Sequence, residues 1–339
     1  MKHHNGLIAL SALALVIPLV ACASPGASTV HVAPRAVSLP VEGYLMAASG
    51  VESIVNRDAA GLALIGVDGI NLTAGGNGLT AVPADAAPSV AASHAHGLKT
   101  ELLMGNFDEA IGDFSPAIAT RLFTSKTNRA TVITSLVSTV SHGGFDGVQL
   151  DFESLDASHR AGLSAFTAEL RAALPAAKSV SMALMAADTV AGYASEGYQL
   201  SALAKSAGRF VLMAYDQHGP TWTRAGPIGG TPWVKSVLHA FIATGVPKVR
   251  IDLGVAEYAY TWPADGTSGV QLSVAEARAK AGKGARFDTT QGEWNAVLAD
   301  GTVLWWSDAR TLAERKALAA ASGVHGLAIW ELSLGDPVT

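Results

Sequence analysis

Residues 143–155 read GGFDGVQLDFESL. Gln149, Asp151 and Glu153 take every second position, with Val148, Leu150 and Phe152 between them. Alternate side chains of a strand point to opposite faces, so the amide and the two acids share one face, successive members roughly 7 Å apart. Val148, Leu150 and Phe152 are then predicted to pack outward against helices, which turns the polar row into the interior of a closed sheet. Carboxylates buried there are costly unless paired or protonated. A strand with a purely structural role has no need of them.

Past residue 40 the same kind of short apolar run recurs: VEGYLMA from Val41, LALIGV from Leu62, LKTELLMGNF from Leu98, GVQLDFE from Gly147, SVSMALMA from Ser179, RFVLMAYD from Arg209, KVRIDLGV from Lys248 and GLAIWEL from Gly326. Helical stretches separate them. NRATVITSLVSTVSHGG repeats apolar residues at Val132, Leu136, Val137 and Val140, and DASHRAGLSAFTAELRAAL at Leu163, Phe166, Leu170 and Leu174. Alternating strands and helices imply a parallel sheet, and eight such units predict an α/β fold, the (β/α)8 TIM barrel. The interval from about 256 to 307 breaks the rhythm. It predicts a small α+β insertion between strands 7 and 8, with Asp300-Gly301 as a hairpin turn, forming one wall of a cleft at the barrel mouth. Glu153 falls at the C-terminal end of its strand, where barrel enzymes place their chemistry. The like charge of Asp151 beside it is expected to raise a pKa and keep Glu153 able to donate a proton near neutrality.

The chain of 339 residues is 49% hydrophobic and 15% charged, enough for a large core. A formal net charge of −5, with 23 Lys and Arg scattered along the sequence, argues against nucleic acid and against an anionic membrane surface as partners. Lys2 followed by GLIALSALALVIPLV reads as a secretory signal rather than a membrane span. At its end Leu19-Val20-Ala21-Cys22 looks like a bacterial lipobox, with Cys22 lipidated, while Ala21-Cys22-Ala23 also fits ordinary signal cleavage, which removes the cysteine. The expected organisation is a signal over 1–21, an Ala/Ser/Pro tether over 22–40 and one barrel over 41–339. The protein is placed in a bacterial cell envelope, lipid-anchored and facing the periplasm or exterior, or soluble in the periplasm if Cys22 is removed. Cys22 is the only cysteine, so no disulfide forms within the chain. A monomer is expected.

Asp146, Gln149, Asp151 and Glu153 occupy the four places of D-x-x-D-x-D-x-E, the fourth-strand motif of glycoside hydrolase family 18, the chitinase-like barrels, which this sequence resembles. MAYDQHG (213–219) looks like the family's sixth-strand M-x-Y-D, GLAIWELSLGD (326–336) like its eighth-strand tryptophan segment, and MGNFD (104–108) and GVAEYAYTW (254–262) extend the match. AYDQHGPTWTRAGPIGGTPWVKSVL and WWSDARTLAERKALAAASGVHGLAIW resemble the branch of spore-cortex-lytic N-acetylglucosaminidases. The departure is Gln149, where many members have Asp and some Asn. An amide can hydrogen-bond Asp151 but lacks the charge that helps retune it.

The resemblance implies a retaining, substrate-assisted glycosidase without metal or cofactor, acting on an N-acetylglucosamine-containing glycan such as peptidoglycan. It assigns Glu153 as acid and base, Asp151 as support for the substrate's acetamido group, Tyr215 as a hydrogen-bond donor to it, Asp216 and Gln149 as binding residues and Trp330 as the sugar platform. Asn106 and Tyr258, at the ends of strands three and seven, are expected ligand contacts. Asp146 is expected to be structural, and Trp222 an outer platform or an anchor. The His94-Ala95-His96 stretch is expected to be a solvated loop rather than a metal site. Two alternatives stay open: a chitinase or chitooligosaccharidase, and an inactive sugar-binding lectin on the same barrel.

Overall fold

The computed structural model describes residues 39–46 and 50–339; the expected leader, Cys22 and the tether as far as Ser38 lie outside the described residues. Eight parallel strands form a closed barrel: β1 (Val41–Leu45), β2 (Leu64–Asn71), β3 (Lys99–Gly105), β4 (Gly147–Asp151), β5 (Ser179–Met185), β6 (Arg209–Met213), β7 (Ile251–Ala256) and β8 (Gly326–Trp330). β1 closes on β8, with Val41 opposite Leu327 and Gly43 opposite Ile329. The expected (β/α)8 barrel is therefore the observed fold.

The alternation in β4 works as its spacing dictates. Val148 and Leu150 are fully buried on the outer face, and just past the strand Phe152 packs on Phe123 and Phe166 with ring centroids 5.1 and 5.9 Å apart. Phe166 comes from the helix Arg160–Ala173, whose Leu163, Phe166 and Leu170 face the barrel. The helix Lys126–His142, capped by the Ser125 hydroxyl accepting from the Asn128 N–H, likewise buries Val132, Leu136 and Val140. Several strands end earlier than their apolar runs suggested: β4 stops at Asp151 and β6 at Met213. The residues that follow turn out of the ladder, with Ser154 and Asp216 at positive φ of 55° and 58°.

Polar side chains fill the lower barrel. The Arg209 guanidinium donates to Glu42 (2.5 Å), Glu101 (2.6 Å) and Asp252 (2.7 Å), and Asp252 also faces His325 at 2.7 Å. One cation thus serves three buried carboxyls, and burial still pushes Glu42 up to about 7 against the pull of Arg209.

Between β7 and β8 the insertion is an antiparallel five-stranded sheet in the order Gln271–Leu272, Ala259–Trp262, Val303–Trp306, Glu293–Val297, Arg286–Asp288, with a helix over Val274–Ala281. Its hairpin turns at Asp300-Gly301 as expected, Gly301 taking a φ of 85°. Trp294 stacks on Trp306 at 5.9 Å. The buried carboxylate of Glu293 accepts from the N–H groups of Ile228 and Gly229 and from the Ser307 hydroxyl, which ties the sheet to the loop after β6.

The expected loop at 94–96 is instead the C-terminal end of a helix, Ala86–Ala95, because His94 finds Asp146 at 3.0 Å and His96 finds Asn56 at 2.8 Å. Asp146 also accepts from the Thr100 N–H, a structural clamp between β3 and β4. Among the described residues no group of three or more His, Cys, Asp or Glu is placed to hold a metal, and no helix is long and apolar enough to cross a membrane.

Replacing Arg209 with Met strands three carboxyls in the floor. Urea unfolding should show a loss of about 3 kcal/mol or more at neutral pH. The deficit should shrink in mildly acid buffer, where the unpaired carboxyls take up protons; an equal loss at both pH values would refute this account of the floor.

Candidate active site

Asp151 ends β4, and Glu153 lies two residues beyond it, outside the backbone ladder. A side chain replaces the missing strand partner. The Asn106 amide, one residue past β3, donates to the Glu153 carbonyl at 3.0 Å, and its Oδ1 accepts from the Glu153 N–H at 3.0 Å. Asn106 donates also to the Ser115 carbonyl and is fully buried. Its expected role as a ligand contact is thereby corrected: both ends of the amide are engaged in fixing the acid's backbone. Tyr198 acts on the same turn, its hydroxyl donating to the Phe152 carbonyl at 3.0 Å while accepting from the Met185 N–H at 3.3 Å.

The electrostatics of Glu153 follow from its place. Burial, then the charges of Asp151, Asp216 and Asp113, hold its pKa well above the usual carboxylate range. Asp151 is pushed up to about 7 by burial and by Asp68, and its Oδ1 is buried with no hydrogen-bond partner. Tyr215 feels Asp151, Glu153 and Asp216, and burial with these charges raises its pKa, so it stays a neutral donor.

The hydrogen bond to Asp151 that the motif leads one to expect of Gln149 is not formed. Its amide reaches toward the barrel floor, donating to Glu42 (3.1 Å) and Ser181 (3.0 Å), while its oxygen accepts from the Tyr44 hydroxyl at 2.6 Å. Fully buried, it holds the ring that supports Trp330: Tyr44 and Trp330 sit 5.4 Å apart, tilted by 52°. Its assignment as a substrate-binding residue is therefore corrected to a support beneath the site.

Asp216, expected as a binding residue, is gripped by the insertion. Its Oδ1 accepts from the hydroxyls of Tyr258 and Tyr260, the latter at 3.0 Å. Tyr258, an expected ligand contact, is fully buried because the insertion's first strand covers it; it positions Asp216 instead. Tyr258, Tyr260 and Trp262 form a row with successive centroids 5.1 and 6.2 Å apart, and Trp222, 56% exposed, leans on Tyr260 at 6.0 Å.

A cavity of about 230 Å³ opens beside this group, lined among others by Trp330, Asp151, Phe107 and Phe114. The two phenylalanines meet edge to face at 5.4 Å in a short hairpin, Phe107–Asp108 with Asp113–Phe114. Glu153, Tyr215 and Asp216 flank the cavity without lining it. Asp68 lines it from β2, raised to about 6 by burial and by the charge of Glu331. Sequence reasoning missed Asp68, Asp113, Tyr44 and Tyr198. A lone acid in LIGVDGIN carries no motif, and only the closed sheet brings it to Asp151. The arrangement offers a protonated acid, a buried carboxylate with a free oxygen, a neutral phenol and a flat indole, which suits proton donation to a neutral ligand and stabilisation of positive charge.

Residues 84–335 match Glycosyl hydrolases family 18. The chain is 25% identical over 246 residues to the uncharacterized glycosylase YvbX of Bacillus subtilis, covering 69% of this chain and 71% of that protein. The chitinase of Chromobacterium violaceum superposes with a TM-score of 0.78 at 25% identity, over 88% of this chain and 95% of that one. The spore cortex-lytic enzyme SleL of Bacillus cereus shares the fold at a TM-score of 0.75 and 22% identity, over 87% of this chain and 71% of its own. With the match spanning more than half of its length and the acidic row held inside the mouth of the barrel, the chain belongs to glycosyl hydrolase family 18.

Proposed function

We propose that this hydrolase cleaves β-linked N-acetylglucosamine in cell-wall glycan, peptidoglycan or its fragments, by a retaining, substrate-assisted mechanism. The observation that carries the reading is one cavity lined by Asp151 and Trp330, with the acid Glu153 and the phenol Tyr215 acting on Asp151 beside it. Glu153 gives its proton to the glycosidic oxygen as the C1–O bond breaks and its electron pair leaves with that oxygen. The substrate's own acetamido oxygen bonds to C1 from the opposite face. Asp151, whose Oδ1 has no protein partner, accepts from the acetamido N–H and offsets the positive charge of the cyclic intermediate. Tyr215 donates to the acetamido group. Water then bonds to C1 while losing its proton to Glu153, and the acetamido oxygen departs, which restores the original anomeric configuration. Trp330 gives the pyranose an apolar face to stack on.

A chitinase or chitooligosaccharidase is the second reading, favoured by the similarity to the chitinase of Chromobacterium violaceum. Peptidoglycan, chitin oligomers and an N-acetylglucosaminide reporter, assayed side by side on the full chain, separate the two. Glu153→Gln should lose about 10²-fold or more in turnover on whichever is cleaved. Binding without turnover in either protein would establish the lectin instead.

The raised pKa of Glu153 fixes a sign for pH. The acid must carry its proton, so activity should persist above the usual carboxylate range and fall as pH rises through the elevated value. Asp113→Asn removes one like charge from an exposed hairpin, lowers the pKa of Glu153, and should move that alkaline limb to lower pH. A profile superimposable on wild type would contradict this electrostatic account.

We further propose that the protein is exported and held at the membrane by a lipid on Cys22, on the strength of the leader and lipobox. Cells fed a labelled fatty acid should label the wild-type chain and leave Cys22→Ser unlabelled; equal labelling, or none in either, would rule the anchor out.

A further inference from the structure

The family motif leads one to look for a partner of Asp151 at residue 149, and here that partner is missing. The Gln149 amide is engaged by Glu42, Ser181 and Tyr44 below, and the buried Oδ1 of Asp151 has nothing bonded to it. Another carboxyl enters the same cavity. Asp68 sits where the β2–β3 register shifts, between the pairs Val67–Leu102 and Ile70–Met104, an irregularity that re-aims the side chain. Between β2 and β4 the wall of the cavity is made by Leu103 and Gly105 of β3. A Cβ on Gly105 would come within 2.9 Å of the Asp151 carbonyl oxygen and 3.0 Å of Asn71 Oδ1, so this close approach requires glycine.

No Lys, Arg or His lines this cavity. The other groups facing the pair are acids or neutral hydroxyls. Glu109 lines the cavity, Glu331 acts on Asp68, and Glu153 and the hydroxyls of Tyr44, Tyr198 and Tyr215 face Asp151. Without a cation, two neighbouring buried carboxyls are accommodated by holding one proton between them. We propose that Asp68 is the proton partner of Asp151, a positioning residue that takes over from the second strand the task that residue 149 cannot perform in this chain. In the empty site the charge of Asp68 keeps the shared proton on Asp151; when a sugar binds, that proton passes to Asp68, and Asp151 becomes the anion that accepts from the acetamido N–H. This rests on the hydrolase reading above and adds a residue to it.

The test compares the full-length wild type with Asp68→Asn and Asp68→Glu. Carboxyl ¹³C NMR follows the titration of Asp151, assigned through Asp151→Asn, and kcat and KM for the N-acetylglucosaminide reporter are taken across pH. In Asp68→Asn the Asp151 midpoint should fall to lower pH because a like charge is gone, and the acid limb of kcat should move with it. The plateau kcat should drop about tenfold with KM within about twofold, since the loss concerns charge developed during reaction. Asp68→Glu should keep the acid limb near that of wild type. An Asp151 midpoint and acid limb unmoved in Asp68→Asn would overturn the proposal. Should that variant not fold, the wild type decides: Asp68 and Asp151 resonances sharing two-step titrations support the pair, and independent single-step titrations overturn it. A wild type without turnover removes the hydrolase reading, while the NMR titration still settles whether the two acids share a proton.

Discussion

A carboxyl group withdrawn from water keeps its proton more tightly, and the mouth of this barrel applies that rule to three acids at once. Desolvation is the largest influence on Asp68, Asp151 and Glu153 alike, with repulsion from a neighbouring carboxyl added to each: Glu331 on Asp68, Asp68 on Asp151 and Asp151 on Glu153. The remaining features serve this condition. The helices hold β3 and β4 in register, Asn106 and Tyr198 fix the turn that carries Glu153, and the aromatic walls exclude solvent from it. An acid on the same turn but open to water would be ionised at neutral pH and useless as a proton donor.

The lower barrel handles the same problem by the opposite means. There Glu42, Glu101 and Asp252 converge on the guanidinium of Arg209, and the layer is satisfied by ion pairs and hydrogen bonds. Gln149 marks the boundary between the two regimes. An amide can donate to the acids below and accept from the Tyr44 hydroxyl; a carboxylate there could accept from Tyr44 but not donate, and it would add a fourth acid to one cation. Its presence is intelligible as part of the floor, and it leaves the upper acids without a partner from below.

How much of this could be read in the chain itself depended on the range of the interaction. The period-two row in GVQLDFE and the recurrence of apolar runs are local, and they led directly to the barrel and to the face on which the acids lie. The turn at Asp300-Gly301 was legible for the same reason. Asn106 and Tyr258 were placed at the right height but given the wrong role, because whether an amide or phenol meets a sugar or a neighbouring backbone depends on residues 47 and 42 positions away. The direction of Gln149 was hidden similarly: strand periodicity says which face it occupies, and only the rings and acids of β1, β3 and β5 decide whether it leans up or down. Asp68 gave no signal, since one acid between glycine-flanked apolar residues has many structural uses. The strand ends ran short of their apolar runs because the catalytic turns leave the ladder where side chains take over its hydrogen bonds.

The aromatic row on the insertion has an architectural corollary. Tyr258 lies in the bend just past β7, and Tyr260 and Trp262 alternate along the strand Ala259–Trp262 that follows. Adding a single residue between Tyr258 and Tyr260 would invert the pleat of that short strand and take the Tyr260 phenol off Asp216. The spacing between the two phenols is thus a fixed measure: one carboxylate grips both, and an odd step between them unseats one.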